Sequence, residues 1–158
     1  MGWVRMPPMN EQSPSPSLLR HLLAMVYDAL LVTALVFVVY ALALGIQVAV
    51  SGPENNVLPP LLGRTLFVLS VTGFYCAFWM RSGQTLGMQT WRIRLVSSDG
   101  APLRLSQLLL RCAGAAVSLV FLGLGYWWKL VDRNRWYWHD YLSGTHLVLL
   151  PKSSRNSD

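Results

Sequence analysis

Three apolar runs separated by polar stretches set the pattern of this chain. The first, Leu22 to Leu44, contains a single charge, Asp28, and has Arg20 just ahead of it. It predicts a helix from about Leu18 to Gln47, with Ser17 placed as the cap. Such a run is long enough to cross the roughly 30 Å of hydrocarbon in a bilayer. Ser51-Gly52-Pro53-Glu54-Asn55-Asn56 breaks it. A second span is predicted from about Leu61 to Met80, ending in Phe74, Tyr75, Phe78 and Trp79 as at a membrane interface. The third run, Cys112 to Trp128, is shorter and carries Gly114, Gly123 and Gly125. Between the second and third runs, Trp91 to Val96 alternates apolar and basic residues, a strand pattern, and the turn signal Asp99-Gly100 follows. A second strand-like run, Thr145 to Leu150, lies near the end and is the natural partner of the first. The expected class is an all-α membrane protein with two full transmembrane helices, a third apolar segment (span or re-entrant hairpin) and a short cytoplasmic β-pair. The expected organisation is a disordered cytoplasmic tail at residues 1–17, a membrane domain at 18–150 and a disordered tail at 151–158.

Composition agrees with that class. Of the 158 residues, 53% are hydrophobic and 13% charged, and the mean hydropathy is +0.39. Soluble domains carry about 25% charged residues. The net charge is +6 and the pI about 9.8. These basic residues border the apolar runs, as cytoplasmic flanks facing anionic lipid do, so nucleic acid is not an expected partner. The loop at 51–56 has no Lys or Arg until Arg64 and is expected outside. The N-terminal side, with Arg5 and Arg20, and the segment 81–107, with Arg81, Arg92, Arg94 and Arg104, are expected inside. A simple third span would carry Lys129, Arg133 and Arg135 outward, against the charge bias. A hairpin turning near Leu122 to Gly125 would bring them back. The first run, 23 residues long, exceeds the roughly 7–15 residues of a signal-peptide core and is read as a retained helix.

Asp28 is the candidate for chemistry. A carboxylate among hydrocarbon costs about 2.5–3.5 kcal/mol unless it finds a partner or water. Arg20 lies eight residues away, about 12 Å along a helix and about 80° around it, too poorly placed to pair directly. Arg111 and Arg64 are the candidate partners of Asp28, and Arg64 is the weaker because it lies at the outer boundary. Asp140 and Asp132 are the candidates for Arg20, with lipid headgroups as the alternative. Cys76 and Cys112 read as small buried hydrophobes. His139-Asp140, with only His21 and His146 elsewhere, does not make a metal site. Ser106 and Ser143 lack a triad. No enzyme and no cofactor are expected. Tyr126-Trp127-Trp128 with Trp136, Tyr137 and Trp138 reads as an interfacial aromatic belt.

Arg20 and Asp28 on the first helix, Gly83-Gln84-Thr85-Leu86-Gly87 after the second, and His139-Asp140-Tyr141-Leu142-Ser143-Gly144-Thr145 near the end together resemble the RDD family of bacterial membrane proteins, over roughly residues 18–150. By that resemblance, Arg20, Asp28 and Asp140 correspond to the arginine and two aspartates that name the family. The family's glycine motif is often followed by lysine, where this chain has Met88. The resemblance implies a multi-pass protein of the bacterial cytoplasmic (inner) membrane. Transport has been proposed for the family, and sodium/proton exchange is reported for some members. The Gly83–Gly87 motif reads as a structural turn in which Gly83 and Gly87 permit the backbone path, while Gln84 and Thr85 satisfy backbone groups. It lacks the ending of a phosphate loop. Asp140 is expected to accept from Arg20, Arg133 or the turn at Gly144.

Two functions follow. In the first, copies of the chain assemble into an ion or small-solute transporter in which Asp28 lines a polar path. In the second, the chain is a non-transporting module in which Arg20, Asp28, Asp140 and Arg111 are structural, and it binds or assembles a partner. Both place it in the lipid bilayer, as a homo-oligomer or with another membrane protein.

Overall fold

The structure, a computed structural model, describes residues 15–120, 132 and 137–151. The expected tails up to residue 14 and from 152, the third run beyond Val120, and the aromatic residues 126–128 and 136 lie outside the described residues.

The chain is mostly helical. Helix α1 spans Leu18–Ser51 and helix α2 spans Pro60–Ser82. Both are long and apolar enough to cross a membrane, and almost none of either apolar stretch is buried. Ser17 caps α1, its Oγ accepting from the Arg20 N–H at 3.4 Å. Gly52, at φ 92°, ends the helix one turn later than the sequence predicts. The loop is closed by Gln47, whose side-chain amide donates to the Asn55 and Val57 carbonyls, both at 2.9 Å. Pro60 then starts α2 at a position where its missing N–H costs nothing.

After α2 come α3 (Leu86–Thr90), β1 (Ile93–Ser97), α4 (Leu105–Val120), α5 (Trp138–Ser143) and β2 (Thr145–Leu149). The strands pair antiparallel as expected, with Ile93 opposite Leu149 and Ser97 opposite Thr145. Strand β1 alternates strictly in burial, whereas β2 breaks the alternation at Val148, which is buried beside Leu147. Two corrections concern boundaries. The strand pattern was expected from Trp91, but Trp91 caps α3 and Arg92 sits at φ 56°, so regular pairing begins at Ile93. Helix α4 begins at Leu105, seven residues before the apolar run, because Arg111 lies within the helix and is neutralised there.

The core gathers at one end of the α1–α2 pair. Ala24, Cys76, Trp79, Met88, Ile93, Leu95, Leu108, Tyr137 and Leu147 form it, with Leu18, Tyr75 and Leu103 packed around. Helix α1 joins through one stripe, His21, Ala24, Asp28 and Val32, at steps of three and four residues. Toward the other end, the space between α1 and α2 is an apolar cavity of about 1010 Å³ lined by Val36, Phe37, Tyr40, Phe67 and Val71 among others.

Candidate functional site

The polar core contains two acids with different neighbours. Asp28 is 2% exposed. Its Oδ1 accepts from the Gly87 N–H at 2.8 Å, and its Oδ2 accepts from the Thr85 hydroxyl. Thr85 is the cap of α3, and its Oγ1 in turn accepts from the Met88 N–H at 3.2 Å. The carboxylate of α1 is therefore bonded to the first turn of α3, where backbone donors have no partner within the helix. Bonds of this kind to a charged acceptor are stronger than neutral ones.

The glycine motif is built for this contact. Gly83 ends α2 in the left-handed region, at φ 70°. Its carbonyl accepts from the Leu95 N–H at 2.8 Å, and the Gln84 side-chain amide donates to the Ile93 carbonyl at 2.7 Å. One motif thus ties α1 to β1. Gly83 permits a turn as expected, but Gly87 does something else. It lies within α3 in helical geometry, and a Cβ there would overlap the Ala24 carbonyl oxygen and stand 2.9 Å from Asp28 Oδ1. The missing side chain lets α3 lie directly on α1. Met88 is buried, and its Sδ accepts from the Trp79 indole N–H at 3.4 Å.

Asp140 is 1% exposed and pairs with Arg111, 3% exposed, at 2.5 Å. The other Asp140 oxygen accepts from the Tyr137 N–H at 2.9 Å. Arg111 Nη1 also donates to Thr145 Oγ1 at 3.0 Å, and Thr145 Oγ1 lies 2.7 Å from Ser143 Oγ. The guanidinium carbon stands 5.6 Å from the centre of the Trp79 ring. Arg111 therefore joins α4, α5 and β2 at one point. A further link reaches α1, where His21 Nδ1 and the Tyr137 hydroxyl are 2.7 Å apart and the Tyr137 ring stacks on His139 at 5.2 Å.

The expected partnerships are corrected in three places. Arg111 goes to Asp140, not Asp28, and Asp28 instead meets the neutral donors of the motif. Arg64 lies exposed in the first turns of α2, at the opposite end of that helix from Asp28's partners. Asp140 accepts from Arg111 and Tyr137 rather than Arg20, and Gly144, at φ 61°, donates to the Asp140 backbone carbonyl instead of the carboxylate. Asp132 accepts from the Tyr141 hydroxyl, at 3.1 and 3.0 Å to its two oxygens. Arg133 lies outside the described residues. His21 and Tyr137 enter the polar core without having been singled out as its members, while Thr85 satisfies the Met88 N–H as expected and also donates to Asp28. Cys76 is buried and Cys112 half-buried, both free thiols.

On the sheet, His146 Nδ1 lies 3.3 Å from Ser98 Oγ. Burial pushes the His146 pKa below the usual imidazole range; the Asp140 charge opposes this and the Arg111 charge adds to it. A family model described as "RDD family" matches residues 15–144, which include Arg20, Asp28, the glycine motif, Arg111 and Asp140. Comparison with curated proteins and with solved structures finds no match.

Proposed function

This chain belongs to the RDD family, and we propose that it is a non-transporting membrane module whose buried charges are architectural and whose apolar helices serve assembly with a second copy or another membrane protein. The observation that carries this reading is Asp28. Both of its oxygens are bonded to α3 and it is almost fully covered. The apolar cavity between α1 and α2 does not include Asp28 in its lining. An acid set to carry ions would be expected to face a polar cavity.

We read the chain as a multi-pass protein of a bacterial inner membrane, on its two apolar helices and its family. Helix α1 has 34 residues, far more than a span requires. Its part after Asp28, 23 residues, matches the 23 of α2. Each is about 34 Å long at about 1.5 Å per residue. In this reading the bilayer holds that part, and Asp28 sits at the polar boundary beneath α3 rather than at mid-membrane. Pairing of β1 with β2 puts both strands on one side. The N-terminus and both strands face the cytoplasm by the charge bias of the segment from Arg81 to Arg104.

One observation favours transport instead. Among the described residues, Asp28 has neutral donors only, so a proton or cation could complete it. Proteoliposome flux and detergent stability, measured together for Asp28→Asn and Asp28→Ala, separate the readings. The architectural role predicts no proton- or sodium-linked flux for wild type above empty vesicles, with Asp28→Ala unstable and Asp28→Asn partly preserved by its remaining acceptor. Flux that Asp28→Asn abolishes in a fully folded protein would overturn it.

A further inference from the structure

At the polar end, a second cavity of about 590 Å³ opens between the C-terminus of α2 and one side of β1–β2. This is within the roughly 300–1,000 Å³ of small-molecule sites. Its character differs from the apolar cavity. Arg81 and Arg94 line it, with His146 and with Ser98, whose Oγ lies 3.3 Å from His146 Nδ1. Its single acid is Asp99, whose Oδ1 is held by the Ala101 N–H at 3.0 Å. Two arginines, a serine hydroxyl and an imidazole around one concavity make a site for a phosphate-bearing anion.

Position adds to chemistry. From Thr65 to Met80, α2 carries no charge, and Arg81 follows directly. Trp79 and Met80 also line the cavity, and Met80 is exposed. A headgroup in the cavity would therefore have an apolar helix surface beside it for its acyl chains. We propose that this cavity binds a phosphate-bearing anion through Arg81 and Arg94, in the form of an anionic phospholipid headgroup. The lipid source rests on the membrane reading above; the anion chemistry does not.

The test uses the full chain in neutral detergent, with two probes. Phosphatidylglycerol is titrated against phosphatidylcholine by native mass spectrometry, and sn-glycerol 3-phosphate is titrated by calorimetry. The expected result is saturable phosphatidylglycerol binding, weakened about tenfold or more by Arg81→Gln/Arg94→Gln and unchanged by Arg64→Gln at the far end of α2. Arg81 is exposed, so Arg81→Gln alone keeps the fold and should weaken binding severalfold even if the double variant does not fold. Binding of glycerol 3-phosphate with the same arginine dependence, and no lipid preference, would keep the anion site and remove its lipid source. Failure of both probes, or equal loss with Arg64→Gln, would overturn the proposal. Neither outcome depends on flux or on the role of Asp28.

Discussion

Replacing Gly87 by alanine tests the central contact with one methyl group. On helix propensity alone the change should stabilise α3, by up to about 1 kcal/mol. Packing reverses the sign. The new Cβ would overlap the Ala24 carbonyl oxygen, which belongs to the α1 backbone and cannot rotate away, and would stand 2.9 Å from Asp28 Oδ1. Forcing an extra carbon into such a contact costs about 1–3 kcal/mol. If α3 lifts to make room, the Gly87 N–H to Asp28 bond weakens as well, and bonds to charged groups contribute about 1.5–3 kcal/mol. The net expectation is a loss of about 2–4 kcal/mol. Gly73→Ala on α2 is the control, because beyond its own stretch of helix no described atom lies within 4 Å of its Cβ position. Unfolding followed by tryptophan fluorescence in detergent should separate the two, since Trp79 packs against Met88 beside the contact. Gly87→Ala as stable as wild type would refute the close approach of α3 to α1.

Three further outcomes follow from the same geometry. Thr85→Val removes both the cap of α3 and a donor to Asp28, and should cost about 2–4 kcal/mol in denaturant unfolding, while Thr85→Ser should recover most of it. Arg111→Met should cost about 3–5 kcal/mol by leaving Asp140 buried without its cation, and Arg111→Met/Asp140→Leu should cost less than the single change; a double variant as damaged as the sum of its singles would show that the pair is not coupled. His146 has its folded-state pKa held below its ordinary 6.5, so the unfolded chain takes the proton first and stability should fall as pH drops below about 6.5. His146→Gln should flatten that part of the pH–stability curve, and an unchanged slope would contradict it.

Much of the scaffold was legible because long apolar runs and period-two alternation extend over many residues. The two helices, the Ser17 cap and the β1–β2 pairing all come from such patterns. Helix α3 was not legible, since five residues, Leu-Gly-Met-Gln-Thr, complete barely more than a turn and carry no period. The signal was present in another form. Thr85 is a helix-capping residue type, and Gly87 two positions on has no turn to serve. The start of α4 was missed because a charge ended the apolar run, although a buried arginine can continue a helix when its acid is nearby. The partner of Asp28 was sought among cations because opposite charge is what a single sequence displays. Backbone N–H groups at a helix start are equally good donors, yet no residue letter announces them.

The two acids divide the polar core between them. Asp140 and Arg111 hold α4, α5 and β2 together, and this assembly closes on itself through Thr145 and Ser143. Two strands of five residues would not persist alone, so this bracing is what makes the β-pair possible. Helix α1 reaches it through His21 and Tyr137. Its stripe contributes four buried residues, and only His21 and Asp28 of these make polar bonds, His21 toward Tyr137 and Asp28 toward α3. Loss of Asp28 should therefore loosen α1 from α3 and leave the ion pair in place, whereas loss of Arg111 should loosen the C-terminal elements and leave α1 bonded to α3. The acids are not interchangeable copies of one electrostatic device. One is neutralised by a guanidinium and fixes α4, α5 and β2; the other is solvated by a short helix and fixes α1.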